Sequence, residues 1–159
     1  MFERIIEILR TQLALYRELL ESSRQKKLYL LNNDIESIRR ATTQENRLIG
    51  SLQRSERERE KAVSDIAARL RIPLTGLTLA KLTSHINDIP VKRQLDSLRL
   101  QLRAGMDELK SVNEENKALI DQSLEYIDYN MNLLRNSVSD PIYAGMEEIH
   151  GQVFFDARG

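Results

Sequence analysis

The chain has 159 residues, enough for one domain with a buried core, and its 24 Lys+Arg balance its 24 Asp+Glu, so composition points to no nucleic acid or anionic membrane partner. It has no cysteine, which excludes disulfides and thiolate metal sites and fits a reducing cytoplasm. Three prolines and six glycines are few breakers, a composition suited to long helices rather than sheets.

The first segment, Phe2 to Leu31, reads as a helix. Phe2, Ile5, Ile6, Leu9, Leu13, Tyr16, Leu20 and Leu31 share one side, and Ile8, Leu15, Leu19 and Leu28 broaden it. Glu3, Arg4 and Glu7 interrupt its apolar residues, so no signal peptide is expected, and no apolar run reaches the roughly 18 residues of a membrane span. Asn32-Asn33-Asp34 breaks the pattern. Asn33 is placed to cap a second helix, with Glu36 three residues on to complete a capping box, so the chain reverses here.

The second helix is expected from Asp34 to about Leu70, with Ile35, Ile38, Ala41, Thr42, Leu48, Ile49 and Leu52 facing the first. Ser55 to Lys61 is polar all round and reads either as a solvated stretch held by charge pairs or as a docking patch. Val63, Ile66, Ala67 and Leu70 restore the apolar side. Ile72-Pro73-Leu74-Thr75-Gly76 ends the helix, since proline lacks a donor and glycine accepts positive φ. Thr78 can cap a short helix from Leu79 to Ile86, and Asp88 can cap the next one with Pro90 in its first turn.

The last helix, from about Ile89 to Val138, is the longest, about 75 Å at 1.5 Å per residue. Gly105 marks a kink in it or a close approach of another backbone. Its stripe is Leu95, Leu98, Leu102, Met106, Leu109, Ile120, Leu124, Ile127, Met131, Leu134 and Val138, with Asn113 and Asn116 at positions where leucines are usual. After Asn116 a second row, Leu119, Tyr126 and Leu133, widens the apolar arc to roughly half the circumference, more than one neighbouring helix covers. That width points to a surface kept for a partner helix. Asn113 and Asn116 fit two roles: fixing register inside the bundle, or bonding a partner across a groove. Ser123 and Asn130, between the two rows, suit a groove that admits water when empty.

Beyond Val138, Asp140-Pro141 ends the helix, yet Ile142, Tyr143, Met146, Ile149, Val153, Phe154 and Phe155 make the tail unusually apolar. Its Tyr143, Phe154 and Phe155 are candidate contacts, either folding back over the groove or meeting a separate partner. No catalytic constellation accompanies these surfaces. His85 and His150 lack neighbours at metal-ligand spacing, and Glu114 and Glu115 point about 100° apart on a helix. No glycine-rich phosphate loop and no basic stripe is present, so neither an enzyme nor a cofactor is expected.

The spacing Asn113-x-x-Asn116-x-x-Leu119-Ile120-x-x-Ser123-Leu124-x-x-Ile127 resembles the asparagine-spaced helix of the FlgN-type flagellar export chaperones. Leu15-Tyr16-x-Glu18-Leu19-Leu20, Lys26-Lys27, Asn33-Asp34-Ile35-Glu36 and Thr43-x-Glu45-x-x-Leu48 also resemble that family, as does the close Phe155-Asp156-Ala157-Arg158-Gly159. The resemblance implies an all-α cytoplasmic chaperone. It would hold the amphipathic C-terminal segments of the hook–filament junction proteins FlgK and FlgL and deliver them to the type III export apparatus.

Together these readings predict an all-α fold. Long antiparallel helices form a hairpin or three-helix coiled-coil-like bundle over residues 1–138, with a short connecting helix and a flexible tail over 139–159. The expected client-binding residues are Asn113, Asn116, Leu119, Ile120, Ser123, Leu124, Tyr126, Ile127, Asn130, Met131, Leu133 and Leu134. The protein is expected to be a monomer or weak homodimer. The competing expectation is a structural coiled-coil adaptor whose wide face is a homodimer seam.

Overall fold

The computed structural model describes residues 1–137, and among them it is helical without strands. Four helices follow one another: α1 Glu3–Leu31, α2 Ile35–Leu70, α3 Leu79–Ser84 and α4 Ile89–Ser137. The all-α expectation of long packed helices with one short connecting helix is met. The tail calls, Tyr143, Phe154 and Phe155, lie outside the described residues.

Local chemistry sets each boundary. Helix α1 ends in a left-handed residue, Asn33 at φ 54°, with Asn33 N–H donating to the Leu30 carbonyl (3.3 Å) and Asp34 N–H to the Tyr29 carbonyl (3.0 Å). These are the two bonds of a Schellman closure. Asn33 is therefore the end of α1 and not the cap of α2. The cap is Asp34, whose Oδ1 accepts from the Ser37 N–H at 3.1 Å. The capping box from Asn33 to Glu36 does not form, and Glu36 instead lies 4.0 Å from Arg40. Asparagine suits either role, and the carbonyls left open by α1 decided which one it took.

Helix α2 closes the same way one turn before the proline. Arg71 takes φ 55°, and the Ile72 N–H reaches the Ala67 carbonyl at 2.9 Å. Gly76 holds the expected positive φ, 65°. Thr78 caps α3 through the Lys81 N–H at 3.2 Å, and Asp88 caps α4 through the Val91 N–H at 3.1 Å. Helix α3 is shorter than expected, because His85 already leaves helical geometry as its C-cap. Helix α4 runs unbroken through Gly105, where an added Cβ would sit 4.0 Å from the Tyr16 Cβ, an ordinary contact.

The residues group into two compact units. The first holds Met1–Leu20 with Asn46–Leu109, the second Glu21–Glu45 with Lys110 onward. The first unit has the larger apolar core. Ile5, Leu9, Leu82 and Leu95 are almost fully buried in it, joined by Ile66, Leu98 and Leu102. Its α1–α2 contact is also polar. Buried Gln12 donates to Glu56 at 3.0 Å, and Arg59 Nε donates to the same carboxylate oxygen at 2.8 Å. So the charged run from Ser55 to Lys61 is not solvated all round. Ser55 is buried, and the Arg59 hydrogen bond, ahead of the one from Gln12, holds the Glu56 carboxyl below its ordinary pKa against the opposing effect of burial. Burial, with the nearby Glu56 charge second, raises that of Tyr16.

Some expected core residues lie outside. Leu31, Ile35, Ile49 and Met106 are each at least 40% exposed, being at helix ends or at the edge of their stripes.

Candidate functional site

Within the second unit, α4 runs parallel to α1. Ser23 meets Asn113, Lys27 pairs with Glu115, and Leu30 clusters with Ile120, so the partner number rises along both helices. Helix α2 runs the other way, with Ile38 on Leu30 and Glu45 on Ser23. This alignment places Leu31, the end of α1, level with about Asp121 of α4. Helix α4 continues to Ser137, about 24 Å farther at 1.5 Å per residue. Tyr126, Tyr129, Leu133 and Leu134, all exposed, lie on that length.

Below the end of α1 the packing is polar. Ser23 is 1% exposed, and its hydroxyl lies 3.1 Å from Glu45 Oε1 and 3.2 Å from Asn113 Oδ1, both acceptors. Lys26 Nζ donates to Glu45 Oε2 at 3.0 Å, with the two side chains only 10% and 12% exposed. Asn116, buried, donates from Nδ2 to the Ser23 carbonyl at 2.9 Å, while its Oδ1 meets no donor among the described residues. Beyond this layer a small apolar cluster of Leu30, Ile38 and Ile120 carries half-buried Tyr29, Leu119 and Leu124 on its sides.

The expected client-binding residues therefore divide. Asn116 and Ile120 pack inside the second unit, and in this arrangement neither is open to a partner. Asn113 is exposed but bonded to Ser23. Leu119 and Leu124 flank the cluster, and Ser123 returns its hydroxyl to the Leu119 carbonyl at 2.9 Å. Past Leu124, Ile127 and Asn130 are half-buried and Met131 is buried. Tyr126, Leu133 and Leu134 are open, at 67%, 49% and 37% exposure. Tyr129, absent from the expected set, is 62% exposed between them, and Leu28, Leu31 and Ile35 are exposed around the α1–α2 turn. Tyr129 lies opposite the main stripe, so stripe periodicity passes over it. A tyrosine three residues after Tyr126 was the available signal.

The exposed side chains of this surface are mainly aromatic and aliphatic. Tyrosine and leucine at 126, 129 and 133 recur at the spacing by which one helix presents anchors to another. Among the described residues no three His, Cys, Asp or Glu gather as a metal site, and no helix is long and apolar enough to cross a membrane. An open groove of about 520 Å³ in the first unit is lined by Arg4, Glu7, Arg54 and Glu58 among others, charges that cancel.

No curated protein and no solved structure matches the chain. The family model described as FlgN protein matches residues 1–145. That match, over 145 of the 159 residues, places the protein in the FlgN family, chaperones of flagellar export.

Proposed function

We propose that this chain is a cytoplasmic chaperone that holds the amphipathic C-terminal segment of FlgK or FlgL and hands it to the export apparatus. The observation that carries the reading is the exposed row Tyr126, Tyr129 and Leu133 on the part of α4 that runs beyond the end of α1. Exposed apolar residues in such a row mark interaction sites, and helix-in-groove recognition needs apolar anchors with a few polar contacts. Leu119, Ile127 and Leu134 extend the surface, and Ser123 and Asn130 supply polar groups at its edge. Asn113 and Asn116 act from within, holding α4 in register on the hairpin.

The test is titration of the full chain with labelled peptides spanning the C-terminal segments of FlgK and FlgL. Leu133→Asp should abolish binding and leave helical circular dichroism unchanged. Binding that survives Leu133→Asp and Tyr126→Asp places the client elsewhere and refutes the reading.

A further inference from the structure

The chain as a whole is balanced, with 24 basic and 24 acidic residues, but this surface is not. From Glu125 to Ser137, α4 carries exposed Glu125 and Asp128 against Arg135. The neighbouring turn from Leu28 to Ile35 adds Asp34 and no base. A step of three aligns Glu125 and Asp128 in one row on the helix. Glu125 and Tyr129, four residues apart, are neighbours on the helix surface. The row thus borders the exposed rings and Leu133, and ring faces attract cations.

We propose that the occupant of this surface is an amphipathic helix whose apolar face is edged by lysine or arginine. The proposal rests on the client-binding reading and names the chemistry of the client. An apolar row accepts the helix, the acidic row selects the sign of its edge, and the two tyrosines serve either an apolar side chain or a cation. The part of α4 beyond α1 matches about 16 residues of bound helix. A second copy of this chain would bring the same acidic row. The chain's own residues 138–159 carry Asp140, Glu147, Glu148 and Asp156 against Arg158, so their charge also has the wrong sign.

The experiment uses the full chain and two synthetic amphipathic peptides of about 16 residues with the same leucine stripe. One is edged with lysine and the other with glutamate. Fluorescence anisotropy at about 0.05 M salt should show the lysine-edged peptide bound about tenfold more tightly, the preference shrinking to about twofold at about 0.5 M salt. The exposed, near-isosteric pair Glu125→Gln and Asp128→Asn should reduce the low-salt preference to about twofold. Equal binding of both peptides that Leu133→Asp abolishes overturns the basic-edge proposal and leaves the client site standing. Binding of neither peptide, or binding indifferent to Leu133→Asp, overturns both. Sedimentation as a dimer that Leu133→Asp dissociates makes a second copy the occupant and overturns the proposal as well.

Discussion

Replacing Glu45 by alanine tests the polar layer that holds α4 on the hairpin. Its carboxylate accepts from Lys26 Nζ at 3.0 Å and from the Ser23 hydroxyl at 3.1 Å, and the Lys26 side chain is only 10% exposed. Removing the acid leaves an ammonium with little access to water and a buried hydroxyl short of one acceptor. Breaking one partner of a buried pair costs about 3–5 kcal/mol, and the residual exposure of both groups sets the expectation at about 3. That corresponds to a melting temperature lower by about 6–12 °C for a chain of this size. The double variant Lys26→Met with Glu45→Leu removes both charges and keeps the volume, so it should lie within about 1 kcal/mol of the parent. Urea denaturation followed by circular dichroism reads both, provided the slope with denaturant stays constant. A loss below about 1 kcal/mol for Glu45→Ala shows that water already solvates the pair and refutes the argument.

Gly50→Ala and Gly105→Ala should each stabilise the chain by about 0.5–1 kcal/mol in the same assay, because an added methyl meets nothing within 4 Å at Gly50 and an ordinary 4.0 Å contact at Gly105. Destabilisation at either site would mean the helices pack closer there than described. Asn116→Leu removes a buried oxygen that lacks a donor and should raise thermal stability by about 1 kcal/mol, while weakening client binding through loss of the register set by the amide's bond to the Ser23 carbonyl; unchanged affinity would leave the register to Ser23 and Asn113. The lowered pKa of Glu56 contributes stability that is present above its ordinary value of 4.5 and is lost as pH falls through the lowered one, so Glu56→Gln should flatten the acid limb of the stability profile below about pH 4.5, and an unchanged limb would assign it to other carboxylates. Tyr126→Ala and Tyr129→Ala should each weaken client binding by about 1–2 kcal/mol with stability unchanged, measured by peptide titration; loss of folding instead would make them core residues.

Much of the fold is legible in the chain because its signals are local. Thr78 and Asp88 cap the helices they precede, and the stripes Ile5–Leu9–Leu13 and Leu95–Leu98–Leu102 bury as their spacing requires. Asn33 was misplaced by one role because its residue type fits both a helix cap and a left-handed closure. Arg71 gave no sign of its positive φ, since arginine does not favour it; the closing bonds of α2, from Arg71 N–H to the Ala68 carbonyl and from Ile72 N–H to the Ala67 carbonyl, hold it there. The Gln12–Glu56–Arg59 contact was invisible for another reason. A polar run reads as solvated unless one knows what stands opposite, and Gln12 is 44 residues away. The candidate surface was half legible. The doubled apolar row after Asn116 announced a face wider than one neighbour covers, but assigning Ile120 to the interior and Tyr126 to the outside needed the alignment of α1 on α4.

That alignment makes the α1–α2 turn the determinant of the surface. The closure at Asn33 and the cap at Asp34 stop α1 at a level where α4 still has about 24 Å to run. Two further turns of hairpin would reach the level of about residue 128 and set a neighbour beside Tyr126. Conversely, α4 needs firm purchase below the turn, because an isolated helical end of this length has little stability of its own. The Leu30, Ile38 and Ile120 cluster is small, so the directional bonds of Ser23, Asn113 and Asn116 fix the register that apolar contacts alone would leave free to slip by a turn. Polar residues in that layer and apolar residues exposed beyond it are thus one arrangement. The layer gives up some stability to set how far α4 extends, and the extent of α4 decides how much apolar surface is offered to a partner.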